Sequence, residues 1–238
     1  EPGGTDSTIT LGMSSPFTGP NGVYGVDMRQ VIQAYFAQVN KGGGVNGRKI
    51  DLVALDDGYE TDRTVANTKT LIGDKRVFAL LAFYGSSPTT EAMNTVFGPA
   101  RVPLVGTISG AGTLREPVAK NPNSHYMFNV RASYADETEA IINQLVSLGL
   151  KNIAVFYQND GFGKSGLEGV TASLKKHNLA PSAVATVERN SIDVAALEAA
   201  AREAIASGKK IAAIVATMGT TDAFGIDDLA ALVRRAAN

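Results

Sequence analysis

The sequence predicts an α/β protein of two lobes, each a parallel β-sheet covered by helices. Short apolar runs alternate with amphipathic stretches along the chain, the pattern of strands joined by helical crossovers. That rhythm breaks over a polar, irregular span from Leu114 to Ser124 and then restarts. The break divides the 238 residues into expected lobes at 1–118 and 119–238, each long enough for a modest core.

In the first lobe, TITLGMSS (Thr8 to Ser15) reads as a strand. Val26 to Val39 sets Val31, Ile32, Tyr35, Phe36 and Val39 at helical spacing. KIDLVALDD is the second strand, and DRTVANTKTLIGD a helix with Val65, Thr68, Leu71 and Ile72 on one side. The strand VFALLAF, a helix around Thr90 to Val96 and the strand VPLVGT follow. The second lobe opens on the strand MFNVRA, then a helix from Glu137 to Leu148 and the strand NIAVFYQ. A helix from Lys164 to His177, the strand SAVATV, a helix from Val194 to Ser207 and the strand IAAIVAT complete it.

Composition narrows the function classes. Net charge is −1 with both signs interspersed, so nothing marks a nucleic-acid partner. The absence of cysteine removes disulfides, thiol nucleophiles and thiolate metal sites together. No apolar run approaches the roughly 18 residues that a membrane-spanning helix needs. EPGGTDST reads as a flexible leader, either a mature N-terminus after cleavage or a cloning remnant.

In open α/β sheets, ligands sit where loops converge beyond the carboxyl ends of the strands. Four such loops are rich in small polar residues: SSPFTGPNGVYG, YGSSPTT, GTISGAG and QNDGFGKSG. Glycine permits close backbone approach, and hydroxyls and free amides bind a carboxylate. For one loop alone, turn chemistry is the simpler account. Three in one lobe point to an anionic or zwitterionic small ligand.

Other motifs carry less. GFGKSG is formally G-x-G-x-x-G, with Glu188 roughly where a ribose-binding acid would fall, but Asn159 and Asp160 separate the strand from its first glycine. Asp56 and Asp57 read as strand-end carboxylates rather than metal ligands, with Thr61 and Asp62 available to cap the next helix. His125 and His177 lack the spacing of a zinc site or a triad. No G-x-S-x-G and no Walker lysine is present, so no enzymatic activity and no cofactor is expected.

Several phrases together resemble the periplasmic leucine/isoleucine/valine-type substrate-binding proteins of ABC transporters. They are LGMSSPFTGPNGVYG, VNKGGGVNGRKIDLVALDDGYETDRTVANTKTLI, YGSSPTT, PLVGTISGAGTLR and IAVFYQNDGFGKSG, within residues 7 to 195. The resemblance implies a type I periplasmic-binding-protein clamp that closes on a free amino acid such as leucine, isoleucine or valine and delivers it to an ABC permease. By position it implies that Ser86 binds the ligand carboxylate with hydroxyl and amide. Ile108 through its carbonyl, with Ser109 and Gly110, would complete the cradle for the carboxylate and ammonium. Tyr24 would line the first lobe's wall. Phe162 stands where the family often carries a ligand-facing tyrosine, and Phe17 and Tyr84 are further candidates for an apolar wall. The implied location, for the parent family, is the periplasm.

From about residue 196 the resemblance changes. AAIVATMGTTDAFGIDDLAALVRRAAN is similar to a segment of the pyridoxal-phosphate-dependent decarboxylases of the glutamate/aromatic amino acid group. That family's Schiff-base lysine and pyridinium-pairing aspartate come later than this segment, so decarboxylation does not follow. The expectation is a fusion joined near residues 190 to 210, with a truncated or divergent natural member as the alternative. By the resemblance, the chain is truncated before the family's ammonium-holding acid and before the finish of its first lobe, so impaired or lost binding is expected, and an unpaired strand edge with an exposed apolar face predicts self-association. The competing function is a cofactor-binding enzyme fragment taking a nucleotide or pyridoxal phosphate.

Overall fold

Continuous apolar runs rich in Val, Ile and Leu favour parallel strands covered on both faces. The computed structural model describes residues 2–187, 199, 202–203, 206 and 213–216. Among them, β1 (Thr8–Ser15), β2 (Lys49–Asp56), β3 (Ala79–Leu81), β4 (Leu104–Val105) and β5 (Met127–Phe128) form one sheet in the order β2-β1-β3-β4-β5. All its pairs are parallel, and β1 and β2 run in register from Thr8↔Lys49 to Ser15↔Asp56. A second parallel sheet, order β7-β6-β8, holds β6 (Ile153–Gln158), β7 (Ala183–Val187) and β8 (Ala213–Ala216).

The crossovers are α1 (Gly22–Lys41), α2 (Thr61–Gly73) and α3 (Ser86–Ala92) in the first unit, and α4 (Tyr134–Ser147) and α5 (Gly161–Lys176) in the second. Leu71, Leu80, Phe83, Met93, Phe97 and Leu104 are fully buried in the first core. Ile142, Ile153, Val155, Val170 and Leu174 form the second. Each such burial is worth about 1.5–3 kcal/mol before entropy is set against it.

Two helix starts bear on the site. The sequence pattern begins the third helix near Thr90, but α3 starts at Ser86 and runs on as a π-helical turn over Met93–Phe97. Pro88 falls in its first turn, where a missing N–H costs nothing. α5 starts at Gly161, ahead of the expected Lys164, because Asp160 caps it, its Oδ1 accepting from Gly163 N at 3.0 Å. α4 likewise opens early on a reciprocal capping box between Ser133 and Asp136.

One strand moves between units. Met127–Phe128, expected to open the second lobe, pairs with Leu104–Val105 of the first sheet. The polar span before it folds into 3₁₀ turns over Gly112–Arg115 and Pro122–Tyr126, which return the chain to the sheet it had left. The first sheet therefore extends past residue 118.

No described helix is long and apolar enough to cross a membrane. The strand expected near the C-terminus is present as β8, parallel to β6. The helix expected over 194–207 lies mostly outside the described residues, as do Glu188 and the residues after β8.

Candidate functional site

The loops leaving β1, β2, β3 and β4 converge on one end of the first sheet, facing the start of α5. A small cleft open to solvent lies there. Tyr59, Tyr84, Ser86 and Ile108 line it from the first unit, Phe162 from α5, and Arg131 and Tyr134 from the crossover between the sheets.

At its floor the Ser86 and Ser109 hydroxyls are 2.8 Å apart and both residues are buried. Ser109 Oγ also accepts from Ala111 N at 3.1 Å. Neither hydroxyl is a base, so the pair can exchange hydrogen bonds and offer a proton to a carboxylate without activating a nucleophile. Gly85, just before Ser86, has φ 104°, and a Cβ there would lie 2.3 Å from the Tyr59 ring. Only glycine lets that ring close over the loop.

The walls are aromatic. Tyr59 meets Tyr84 edge-on with centroids 5.5 Å apart, and Tyr84 in turn stacks on Tyr24 at 5.5 Å and 16°. Phe162 packs edge-on against Tyr134 at 5.1 Å and 86°. Such pairs add about 0.5–1.5 kcal/mol each beyond the area they bury. Arg131 is the charged side chain among the lining residues; it pairs with Glu137 and lies 5.2 Å over the Tyr134 ring.

Of the six residues carried over by resemblance, Ser86, Ile108 and Phe162 line the cleft. Ser109 stands behind Ser86, and Tyr24 behind Tyr84. Gly110 faces Tyr134: its carbonyl accepts from Tyr134 N at 2.8 Å, and a Cβ on it would fall 2.6 Å from the ring. The Ile108 carbonyl accepts from Gly85 N at 3.3 Å, which leaves it a lone pair for a further donor. Of the other wall candidates Tyr84 is present, whereas Phe17 lies under the Arg29 guanidinium at 4.4 Å. Tyr59, Arg131 and Tyr134 escaped the sequence reading: they lie outside the small-polar loops, and no spacing rule marks them.

The two strand-end acids hold the site up. Asp57 is fully buried; its Oδ2 accepts from Ser14 Oγ at 2.7 Å and Thr64 Oγ1 at 3.0 Å, and its Oδ1 from Tyr59 N at 2.9 Å. Those bonds hold Tyr59 in a left-handed conformation, φ 65°, that a bulky side chain seldom adopts. Burial, ahead of these donors, pushes the Asp57 carboxyl above its ordinary value. Asp56 goes the other way: partial burial works to raise it, but bonds from Thr18, Phe17 N, Gly58 N and Arg63 together bring it from 3.8 down to about 2. Among the described residues no group of three or more His, Cys, Asp or Glu could hold a metal ion.

The G-x-G-x-x-G glycines lie within the first turns of α5. The Asp160 carboxylate already occupies that helix start, placing a negative charge where a dinucleotide's phosphates would sit. Gly161 N instead donates across to Ser87 Oγ of α3 at 2.8 Å, a direct bond between the two units.

Two parallel α/β sheets with a polar-floored cleft between their strand ends define a binding-protein clamp, and the chain belongs to the periplasmic binding protein family, whose profile matches residues 8–231. The match covers most of the decarboxylase-like stretch, ending seven residues before Asn238. An amino acid binding protein of Pseudomonas aeruginosa is 26% identical over 71% of this chain and 44% of its own length. A substrate-binding periplasmic protein from Ralstonia solanacearum, known as a crystal structure, is 31% identical with a TM-score of 0.76, covering 88% of this chain and 56% of that one. A possible leucine/isoleucine/valine-binding protein from Rhodopirellula baltica is 26% identical, TM-score 0.73, over 88% of this chain and 62% of that one. The chain thus spans about half the length of these relatives.

Proposed function

We propose that this chain is the ligand-cradling part of a substrate-binding protein for a free apolar amino acid, acting by binding without chemistry. The observation that carries the reading is the buried Ser86–Ser109 hydroxyl pair opening onto a ring-lined cleft. A zwitterion needs donors for its carboxylate and an apolar wall for its side chain, preorganised against the cost of desolvation. The hydroxyls offer the first, and Tyr59, Tyr84 and Phe162 the second. The names of the Pseudomonas and Rhodopirellula relatives support an amino acid, with leucine, isoleucine or valine the leading candidates. The proposed setting is the periplasm, with an ABC permease receiving the ligand.

The test is calorimetric titration with leucine, isoleucine, valine and phenylalanine. Saturable heat for one of them, lost in S86A, supports the reading; heat for none sinks it. The two lobes are proposed to divide after β5, in the segment 129–133. Self-association through exposed apolar side chains such as Val31 and Tyr35 of α1 is part of the proposal, and a clean monomer by light scattering counts against it.

The tail's origin is a separate proposal. Its decarboxylase-like phrases favour a fusion, while the family match through residue 231 favours a native second lobe. One uninterrupted native gene would remove the fusion.

A further inference from the structure

Arg115, at the end of the 3₁₀ turn Gly112–Arg115, does not itself line the cleft, yet its guanidinium joins two segments that carry lining residues. Nη1 donates to the Ser109 carbonyl at 3.3 Å and to Asn129 Oδ1 at 3.0 Å. Nη2 donates to the carbonyls of Arg131 at 2.5 Å and Ala132 at 3.3 Å. Asn129 completes the clasp, its Nδ2 donating to the Leu114 carbonyl at 2.9 Å. One planar fork therefore spans the back of the cradle and the crossover that leaves β5 for α4.

That crossover carries two cleft-lining side chains, Arg131 and Tyr134, and Tyr134 N is bonded to the Gly110 carbonyl. Carbonyls in a loop between sheets find few backbone partners, and the five fixed N–H groups of arginine suit them where the point charge of lysine does not. We propose that Arg115 is a positioning residue that locks the cradle to the crossover, so that Ser109, Arg131 and Tyr134 move as one body when the units shift. Arg115 contacts no ligand in this scheme. It fixes the spacing between the hydroxyl floor and the Tyr134–Phe162 wall.

The proposal rests on the amino-acid-binding reading for its affinity arm only. Amide hydrogen exchange is followed in the wild type, R115A and R115K, alongside leucine titration of each. In R115A the Tyr134 amide is expected to exchange roughly tenfold faster while amides of β6 and the α5 interior keep their protection. Leucine affinity falls about tenfold, the scale of losing a charged hydrogen-bonded anchor. Millimolar guanidinium restores both in R115A, and R115K, which keeps the charge without the fork, resembles unrescued R115A. Should R115A not fold, N129A loosens the same clasp and shows the same selective exchange at Tyr134.

Unchanged Tyr134 exchange in R115K and R115A, or a loss of protection spread evenly over both sheets that guanidinium does not reverse, overturns the proposal. Wild-type protein that binds none of leucine, isoleucine, valine and phenylalanine while Tyr134 still responds to R115A and to guanidinium leaves Arg115 in this role and removes the amino-acid reading instead.

Discussion

Replacing Asp56 by asparagine should make the protein less stable at neutral pH and no less stable than the wild type in strong acid. The carboxylate accepts from Phe17 N at 2.7 Å, Thr18 Oγ1 at 2.6 Å, Gly58 N at 3.0 Å and Arg63 Nη2 at 3.0 Å. Asparagine retains one acceptor oxygen for the two amides, but its amino group faces Thr18 and Arg63. The fall from 3.8 to about 2, at about 1.36 kcal/mol per tenfold change in proton affinity, sets a ceiling near 2.4 kcal/mol. A quarter of the Asp56 side chain and half of Arg63 are exposed, so screening trims this to about 1–2 kcal/mol. Because the folded value lies below the unfolded one, this stability is fully present above about pH 4 and is lost as pH falls through about 2. Asp57 has the opposite sign: held above its ordinary value by burial, it favours the folded state when protonated. The assay is therefore a difference, urea midpoints of wild type minus D56N from pH 7 to pH 2, which removes the contribution common to both. The gap should close across the acid limb. Parallel curves would refute the pairing of Asp56 with the loop before α1, and with it the account of how that loop is held.

Truncating the other acid, D57A, removes the acceptor of the Ser14 hydroxyl and the Tyr59 amide in the interior, while the Thr64 hydroxyl keeps the Glu60 carbonyl at 3.1 Å. A loss of about 3–5 kcal/mol is expected in chemical denaturation, with D57N losing less, and a cost below about 1 kcal/mol would show the network to be dispensable. For the bond between units, a Cβ on Gly161 would lie 2.8 Å from Ser87 Oγ. G161A should thus weaken leucine binding by about tenfold, and adding S87A should recover most of it; additive losses in that double-mutant cycle would mean the two residues are not in contact.

Much of the fold could be read from the chain because local and tertiary preferences agree there. The apolar run Thr8 to Ser15 became β1 without change, and KIDLVALD became β2. The runs VFALLAF and VPLVGT shrank to three and two ladder residues. Ala82 (φ 54°) and Gly106 (φ 71°) turn left-handed and take the backbone out of the sheet toward the cleft. Apolar content alone does not report such a turn. Sequence pattern alone places β5 in the other sheet, since a break in periodicity precedes it and looks like a boundary between units. It is an excursion through two 3₁₀ turns that returns to the same sheet. At the site, Ser86, Ile108 and Phe162 were legible since strand-end loops and helix starts are written in small polar residues and glycine. Tyr59 was not, because its place in the wall depends on a left-handed backbone held by a buried acid distant from any recognisable motif.

The residues that were missed share one property, and it bears on how the cleft works. Besides its side-chain contacts, each is held by a polar tie to backbone. Tyr59 is tied through its amide to Asp57, and Tyr134 through its amide to the Gly110 carbonyl. The Arg131 carbonyl is tied to Arg115, and the turn carrying Phe162 to the Asp160 cap. Backbone ties are indifferent to what the side chain is, so the rings can be exchanged while the frame stays put. Position 162 offers the simplest such exchange: a tyrosine there would keep the edge contact that Phe162 makes with Tyr134 and add a hydroxyl to the cleft. On this reasoning, F162Y changes which side chain the cleft prefers and leaves the unfolding midpoint within about 0.5 kcal/mol of the wild type. A large stability change in F162Y would mean that the ring, not the backbone, holds the wall.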